Sequence, residues 1–199
     1  MKRSIRGLLC SGESTSVSMT SGRGCQHEAP FRRGGCFELS LDDVHRVRVR
    51  PLGSADRERY VRAVAALSPR SRYLRFFSPL PKLSERQVDL MTHVDGEHQV
   101  AYAALTPEES DLLGVARYIR TAEGSNVAEV AIAIADDWQG LGLGRALLSH
   151  LIEHARTARL ERLIATILSE NRAAAGLTRA TGFALAAREG IYVHYEMAV

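Results

Sequence analysis

The chain has 199 residues, 45% of them hydrophobic and 25% charged, with a formal net charge of +3. That length supports one full hydrophobic core and would cramp a second domain, and the composition is ordinary for a soluble globular protein. Nine basic and five acidic side chains fall in residues 1–50, so residues 51–199 come to about −1, and the body lacks the basic footprint of a nucleic-acid-binding protein.

Met1-Lys-Arg-Ser-Ile-Arg-Gly-Leu-Leu-Cys-Ser11 starts like a signal peptide, but Arg6 and Gly7 break its apolar run. No later stretch is long enough to span a bilayer, so the expected location is cytoplasmic. Residues 1–38 are rich in Ser, Gly, Thr and Arg without an apolar period, and a disordered head is expected there. A partner-binding arm or a mis-set start are the alternatives. Cys10, Cys25 and Cys36 show no metal-ligand spacing, and their odd number argues against a disulfide framework.

The folded domain is expected over residues 44–199. His45-Arg-Val-Arg-Val-Arg-Pro51 alternates as a half-exposed first strand with its arginines on a solvated face. Ser54 or Asp56 can cap a helix carrying Tyr60, Val61, Val64 and Leu67, ended by Ser68-Pro69. Ser71 to Phe77 reads as a second short helix, closed by Ser78-Pro-Leu-Pro81. Ser84 caps a third, to about His93. Strands are expected at Gln99–Leu105 and Leu112–Arg120, joined by Thr106-Pro-Glu-Glu-Ser-Asp111. Glu123-Gly-Ser-Asn126 then leads into a strand from Val127 to Ala135, where β-branched residues alternate with alanine as in a strand buried on both faces. A helix follows from about Leu143 to Thr157, with Leu147, Leu148, Leu151 and Ile152 on one stripe. The last elements are a strand Arg162–Leu168, a helix from Asn171 to about Ala180, and strands around Phe183–Arg188 and Ile191–Met197.

Gly140, Gly142 and Gly144 remove three side chains between the Val127 strand and its helix. The amides opening that helix have no intrahelical partner and point along its dipole, an arrangement that suits phosphate. No Lys follows these glycines, which excludes a P-loop. Counting from Gly140, Arg145 stands where a dinucleotide fingerprint needs its third glycine. The remaining pattern, Gln139-x-x-Gly142-x-Gly144 after a strand and opening a helix, resembles the pyrophosphate signature of the GCN5-related N-acetyltransferases (GNAT). Leu67-Ser-Pro-Arg-Ser-Arg-Tyr-Leu-Arg-Phe-Phe77 together with Ala135-Asp-Asp-Trp-Gln139 looks like the acetyltransferase domain of bacterial protein-lysine acetyltransferases. The element order matches from about Val44 to the C-terminus. The implied fold is α+β: a mostly antiparallel sheet of six to seven strands, flanked by about four helices, with a splayed central strand pair.

The resemblance implies acetyl-CoA as co-substrate and no metal. Gln139, Gly140, Leu141, Gly142, Leu143, Gly144 and Arg145 would cradle the pyrophosphate. Ile132 and Ile134 match the strand edge to which the pantetheine arm adds. Asn171 matches the family asparagine that contacts the coenzyme, and is equally a good N-cap. Glu129 is the implied base. A Lys side chain with a pKa of about 10.4 is nucleophilic in only about one molecule in a thousand at neutral pH, a deficit of roughly 4 kcal/mol that a base offsets. Glu129 shares its strand face with Ala131 and Ala133, which leave room beside it; a salt-bridged carboxylate at a strand edge is the alternative. Where many family members carry a general-acid tyrosine, this chain has Thr178. His93 is another titratable candidate, read more simply as a helix-end residue.

The implied acceptor is a primary amine, first a protein lysine of a metabolic enzyme, alternatively a small-molecule amine, with neither nucleic acid nor membrane as partner and a monomer or homodimer as the assembly. A non-catalytic acyl-CoA-binding domain is the alternative from another class. Residues 54–94 would wall the acceptor, and Arg70, Arg72 and Arg75 there either face an acidic partner or simply solvate a helix.

Overall fold

The computed structural model describes residues 18–20, 35–79 and 82–199. Among these, nine strands form one sheet: β1 (Ser18–Thr20), β2 (Phe37–Ser40), β3 (Arg46–Pro51), β4 (Gln99–Leu105), β5 (Leu112–Arg120), β6 (Val127–Ile134), β7 (Arg162–Leu168), β8 (Ala184–Glu189) and β9 (Tyr192–Ala198). Their order is β1-β2-β3-β4-β5-β6-β7-β9-β8. Every neighbouring pair is antiparallel except β6 and β7, which are parallel and joined through a helix, the connection a parallel pair requires. The helices are α1 (Arg57–Ala66), α2 (Pro69–Phe76), α3 (Glu85–Thr92), α4 (Leu143–Thr157) and α5 (Arg172–Ala180). No helix among the described residues is long and apolar enough to cross a membrane.

Local chemistry sets the helix starts. The Ser68 hydroxyl accepts the Ser71 amide and Pro69 follows it, so the Ser-Pro pair that closes α1 opens α2. Ser84 and Gln87 form a reciprocal capping box on α3. At α4 the capping position is Gly142, which has no side chain to offer.

The sheet separates two cores. Ala128, Val130, Ile132 and Ile134 of β6 join Leu147, Leu148, Leu151 and Ile152 of α4 and Leu177 of α5 in the larger one. Gly114 lets these elements meet: a Cβ there would lie 2.7 Å from Ile134 Cδ1 and 3.3 Å from Leu147 Cδ1. The smaller core holds Tyr60 and Val64 of α1, Met91 of α3, Ala101 and Ala103 of β4 and Val115 of β5. Side chains alternate along a strand. Ala133, opposite Val115, therefore faces this smaller core, and so do Ala131 and Glu129.

Several expectations change. The ordered chain begins before Val44: β2 pairs with β3, and Leu39 and Leu41 are buried in the larger core. β1, at Ser18–Thr20, pairs with β2 inside the head expected to be disordered; of residues 1–38, positions 1–17 and 21–34 lie outside the described residues. Of the β3 arginines, Arg46 is exposed and Arg48 half-buried, but Arg50 leaves the solvated face. Arg50 is buried and forks onto the Asp56 carboxylate at 2.8 Å and 2.8 Å, while its Nε donates to Glu109 at 3.0 Å. Asp56 is thus a counter-charge, and its side chain does not cap α1. Val61, placed on the buried stripe of α1 by its spacing, is exposed. Finally, Cys36 is disulfide-bonded; an odd cysteine count leaves one thiol over without forbidding a bridge.

Candidate active site

β6 parts from β7 at Glu129. The two strands pair only at Val127 with Arg162, Ala128 with Leu163 and Glu129 with Ile164. From Ala165 onward β7 stays with β9. The stretch Val130–Ile134 therefore borders a fork with Glu129, half-buried, at its apex. The side chains of Ile132 and Ile134 are buried in the larger core beside α4. At the fork these residues have peptide groups to offer, which is what strand-like addition of a pantetheine arm would use.

Past the fork the chain makes a short 3-10 turn, Asp136–Trp138, and enters the glycine turn with Gly140 at φ +80° and Gly142 at φ +87°. Side chains rarely adopt that backbone. A Cβ on Gly142 would meet nothing within 4 Å, so space lies open before the uncapped first turn of α4. Leu143 and Gly144 are buried, and Leu141 packs half-buried against the larger core. These residues likewise contribute amides.

Two side chains from the expected cradle are engaged elsewhere. Gln139 Nε2 donates to Ile134 O at 3.1 Å and to Asp136 Oδ1 at 3.1 Å. Arg145 donates to Ala180 O at 3.4 Å, at the end of α5. Asp136, which sequence reasoning passed over, accepts the Ser68 amide at 2.6 Å and the Ser71 hydroxyl. It binds the glycine turn to the N-terminus of α2, so the two segments that carried the family likeness are one physical joint.

Asn171 is 2% exposed and caps α5, its Oδ1 accepting the Ala174 amide at 3.0 Å. Its Nδ2 is buried with no hydrogen-bond partner among the described residues. That spare donor, the open space at Gly142 and the fork in the sheet together fit acetyl-CoA. Thr178 is fully buried and donates to Ala174 O at 2.8 Å, so it is a helix-packing residue without access to a leaving group. His93 is exposed at the end of α3.

On the Glu129 face lie two buried cations. Arg117 of β5, 1% exposed, donates to Met91 O at 2.7 Å. Burial, and then the neighbouring Arg75 charge, pushes its guanidinium down to about 10, still protonated at neutral pH. Arg75 of α2 is 3% exposed, not solvated as expected. Burial lowers its pKa, against the opposing influence of Tyr60 and Glu129. The spacing held the signal: Ser71, Leu74 and Arg75 fall at i, i+3 and i+4, one face of α2.

A profile described as the Acetyltransferase (GNAT) family matches residues 67–183. The chain belongs to the GNAT family of acetyltransferases. It is 37% identical over 146 residues to Acetyltransferase PA5475 of Pseudomonas aeruginosa, covering 72% of this chain and 78% of that one. It is 28% identical over 125 residues to Acetyltransferase Pat of Mycolicibacterium smegmatis, covering 63% of this chain but 37% of that longer protein. Among solved structures, the GNAT domain of S. lividans PAT superposes with a TM-score of 0.77 at 31% identity, over 82% of this chain and 97% of that domain. In this GNAT chain the glycine turn opens α4, β6 and β7 part at Glu129, and Asn171 caps α5. The Asp136 joint and the two buried arginines became visible only with the sheet and α2 in place.

Proposed function

We propose that this GNAT acetyltransferase moves the acetyl group of acetyl-CoA to a primary amine, a protein lysine, by direct attack on the thioester with Glu129 as base. The observation that carries this reading is the position of Glu129 at the apex of the fork, with the glycine turn at the far end of the same strand. The amides at the start of α4 hold the diphosphate, Asn171 Nδ2 supplies a further donor, and Arg145 adds charge by swinging from Ala180. The vacant edge of β6 aligns the pantetheine arm, and an amide of that edge donates to the thioester oxygen as negative charge builds on it. Glu129 takes the ammonium proton, directly or through a water. The amine nitrogen then forms the C–N bond as the C–S bond breaks. The nitrogen sheds its second proton to solvent as the amide forms, and solvent returns one to the departing thiolate; a thiol pKa near 8.5, by analogy with cysteine, makes it a fair leaving group unaided.

Lysine as acceptor is supported by the likeness to bacterial protein-lysine acetyltransferases. One observation favours a small-molecule amine as a second reading. An open apolar pocket lined by Tyr60, Val64, Phe76, Val115 and Ala133 lies on the Glu129 face of the sheet, and concave apolar surfaces of this kind are where small ligands settle. Thiol release from acetyl-CoA, measured with lysine peptides and a panel of amines, tests both. Glu129→Gln is expected to lower kcat by about 10²- to 10⁴-fold while leaving coenzyme affinity unchanged; an unchanged kcat removes Glu129 from the base role. Coenzyme binding with no thiol release above background for any amine leaves a binding domain in place of the enzyme proposed.

A further inference from the structure

Arg75 lines a second, smaller pocket open to solvent, with Leu67, Ser71, Leu74, Ala133, Ile134 and Gln139. This cavity shares Leu67, Ala133 and Ile134 with the larger apolar one. Arg75 is almost wholly buried, yet its Nη1 has no hydrogen-bond partner among the described residues. A buried donor of a charged group left unmade is costly. Next to it on the same face is Arg117, equally buried, whose Nε also makes no hydrogen bond among the described residues and on which the Arg75 charge acts. Glu129 is the carboxylate that acts on Arg75. Asp56 and Glu109, on the same face, pair with Arg50. Buried charges persist where something compensates them.

We infer that the acceptor carries a carboxylate, that Arg75 receives it in the cavity between α2 and β6, and that the acceptor's apolar part fills the adjoining cavity under α1. The inference rests on the acetyl-transfer reading for the amine, but the carboxylate subsite is separable from it. Ala133 lines both cavities and stands on the same strand face as Glu129, four residues along. An acceptor bridging the cavities is thus presented on the base's side of the sheet. The guanidinium offers paired N–H donors to a carboxylate, which an ammonium does not. The carboxylate has two possible sources: a free apolar amino acid, or an acidic side chain beside a target lysine.

The test uses the full chain with L-leucine and with 3-methylbutylamine, which has the same side chain and no carboxylate. The ratio of their kcat/KM values is measured in the wild type and in Arg75→Met, so that the intrinsic reactivity of each amine cancels. Loss of a charged hydrogen bond is expected to lower that ratio about tenfold to a hundredfold, with coenzyme affinity unchanged and Arg75→Lys restoring only part. Peptides with Asp or Asn next to a lysine form the second arm. A fall confined to the Asp peptide assigns the carboxylate to a protein, and a fall confined to leucine assigns it to a free amino acid. If Arg75→Met lowers every acceptor equally, or none, the inference is wrong. Calorimetry of 4-methylpentanoate against 4-methylpentanamide, with coenzyme A present, decides the case where no amine releases thiol or the Met variant does not fold. Binding of the acid alone supports the subsite even if acetyl transfer fails, and no binding of the acid to the wild type overturns it.

Discussion

The two faces of the sheet are built from opposite materials. Toward α4 and α5 the structure offers peptide groups: the glycine turn, the vacated edge of β6, and apolar side chains packed behind them. Toward α1, α2 and α3 it offers side-chain charge: Glu129, Arg75 and Arg117 among apolar walls, with the Arg50–Asp56–Glu109 ion pairs at the rim. A site made of amides suits a ligand that never changes, because main-chain geometry depends on few side chains. One made of side chains can be re-specified position by position, which suits an acceptor that differs between relatives.

Gly142→Asp should separate the faces most strongly. A side chain at φ +87° costs about 1–2 kcal/mol, and a carboxylate near phosphate adds a repulsion of about 1–4 kcal/mol. Coenzyme Kd should therefore rise about 10²-fold or more, while binding of an acceptor analogue to the opposite face, measured without coenzyme, stays as it was. Calorimetric Kd values for both ligands check this, and an unaltered coenzyme Kd would mean the turn is not the phosphate site. Asp136→Ala should do the reverse and blur the contrast. It removes the acceptor of the Ser68 amide and the Ser71 hydroxyl, a loss of about 1–3 kcal/mol for groups left unpaired. Melting temperature should fall, and coenzyme Kd and acceptor KM should rise together by less than in the glycine variant. Worsening of one alone would show that the turn and α2 are independent.

The smallest effect is one of pH. His150 and His154 of α4 are pushed below the usual histidine range, chiefly by burial, and for His150 also by its neighbour His154. Tyr102 surrounds them, its hydroxyl 2.6 Å from His154 Nδ1 and its ring against His150. The folded state keeps both rings neutral, so below the unfolded value of about 6.5 the unfolded chain binds more protons. Stability is then full above about pH 6.5 and is lost as pH falls from there toward the folded values. Asp56 and Glu109, on the other face, also have lowered pKa values; burial opposes the shift, and the Arg50 guanidinium outweighs it. Their contribution is lost only as pH falls below about 4. A melting-temperature profile should therefore decline in two separate windows. The double variant His150→Gln, His154→Gln should flatten the upper one, and an unflattened profile would assign it to other groups.

The same contrast explains what the sequence disclosed. β4, β5, β7 and α4 have the bounds expected for them, because a long apolar period ending in glycine or a polar turn needs no tertiary information. The glycine turn was legible for a related reason: missing side chains at fixed spacing are themselves the signal. β2 was not, since four residues with one buried leucine carry no period. Arg50, Asp56 and Arg75 were read as solvated or capping residues because charge is ordinarily exposed. Their partners lie on elements whose approach no local pattern records. Asp136 was overlooked for the same reason: what it holds is 68 residues away.

That single carboxylate gives the molecule a mechanical property. Whatever shifts the loop in front of α4 drags the first turn of α2, and with it the helix bearing Arg75. A coenzyme settling into place would set the position of the wall against which the second reactant must fit, and an empty loop would leave that wall slack.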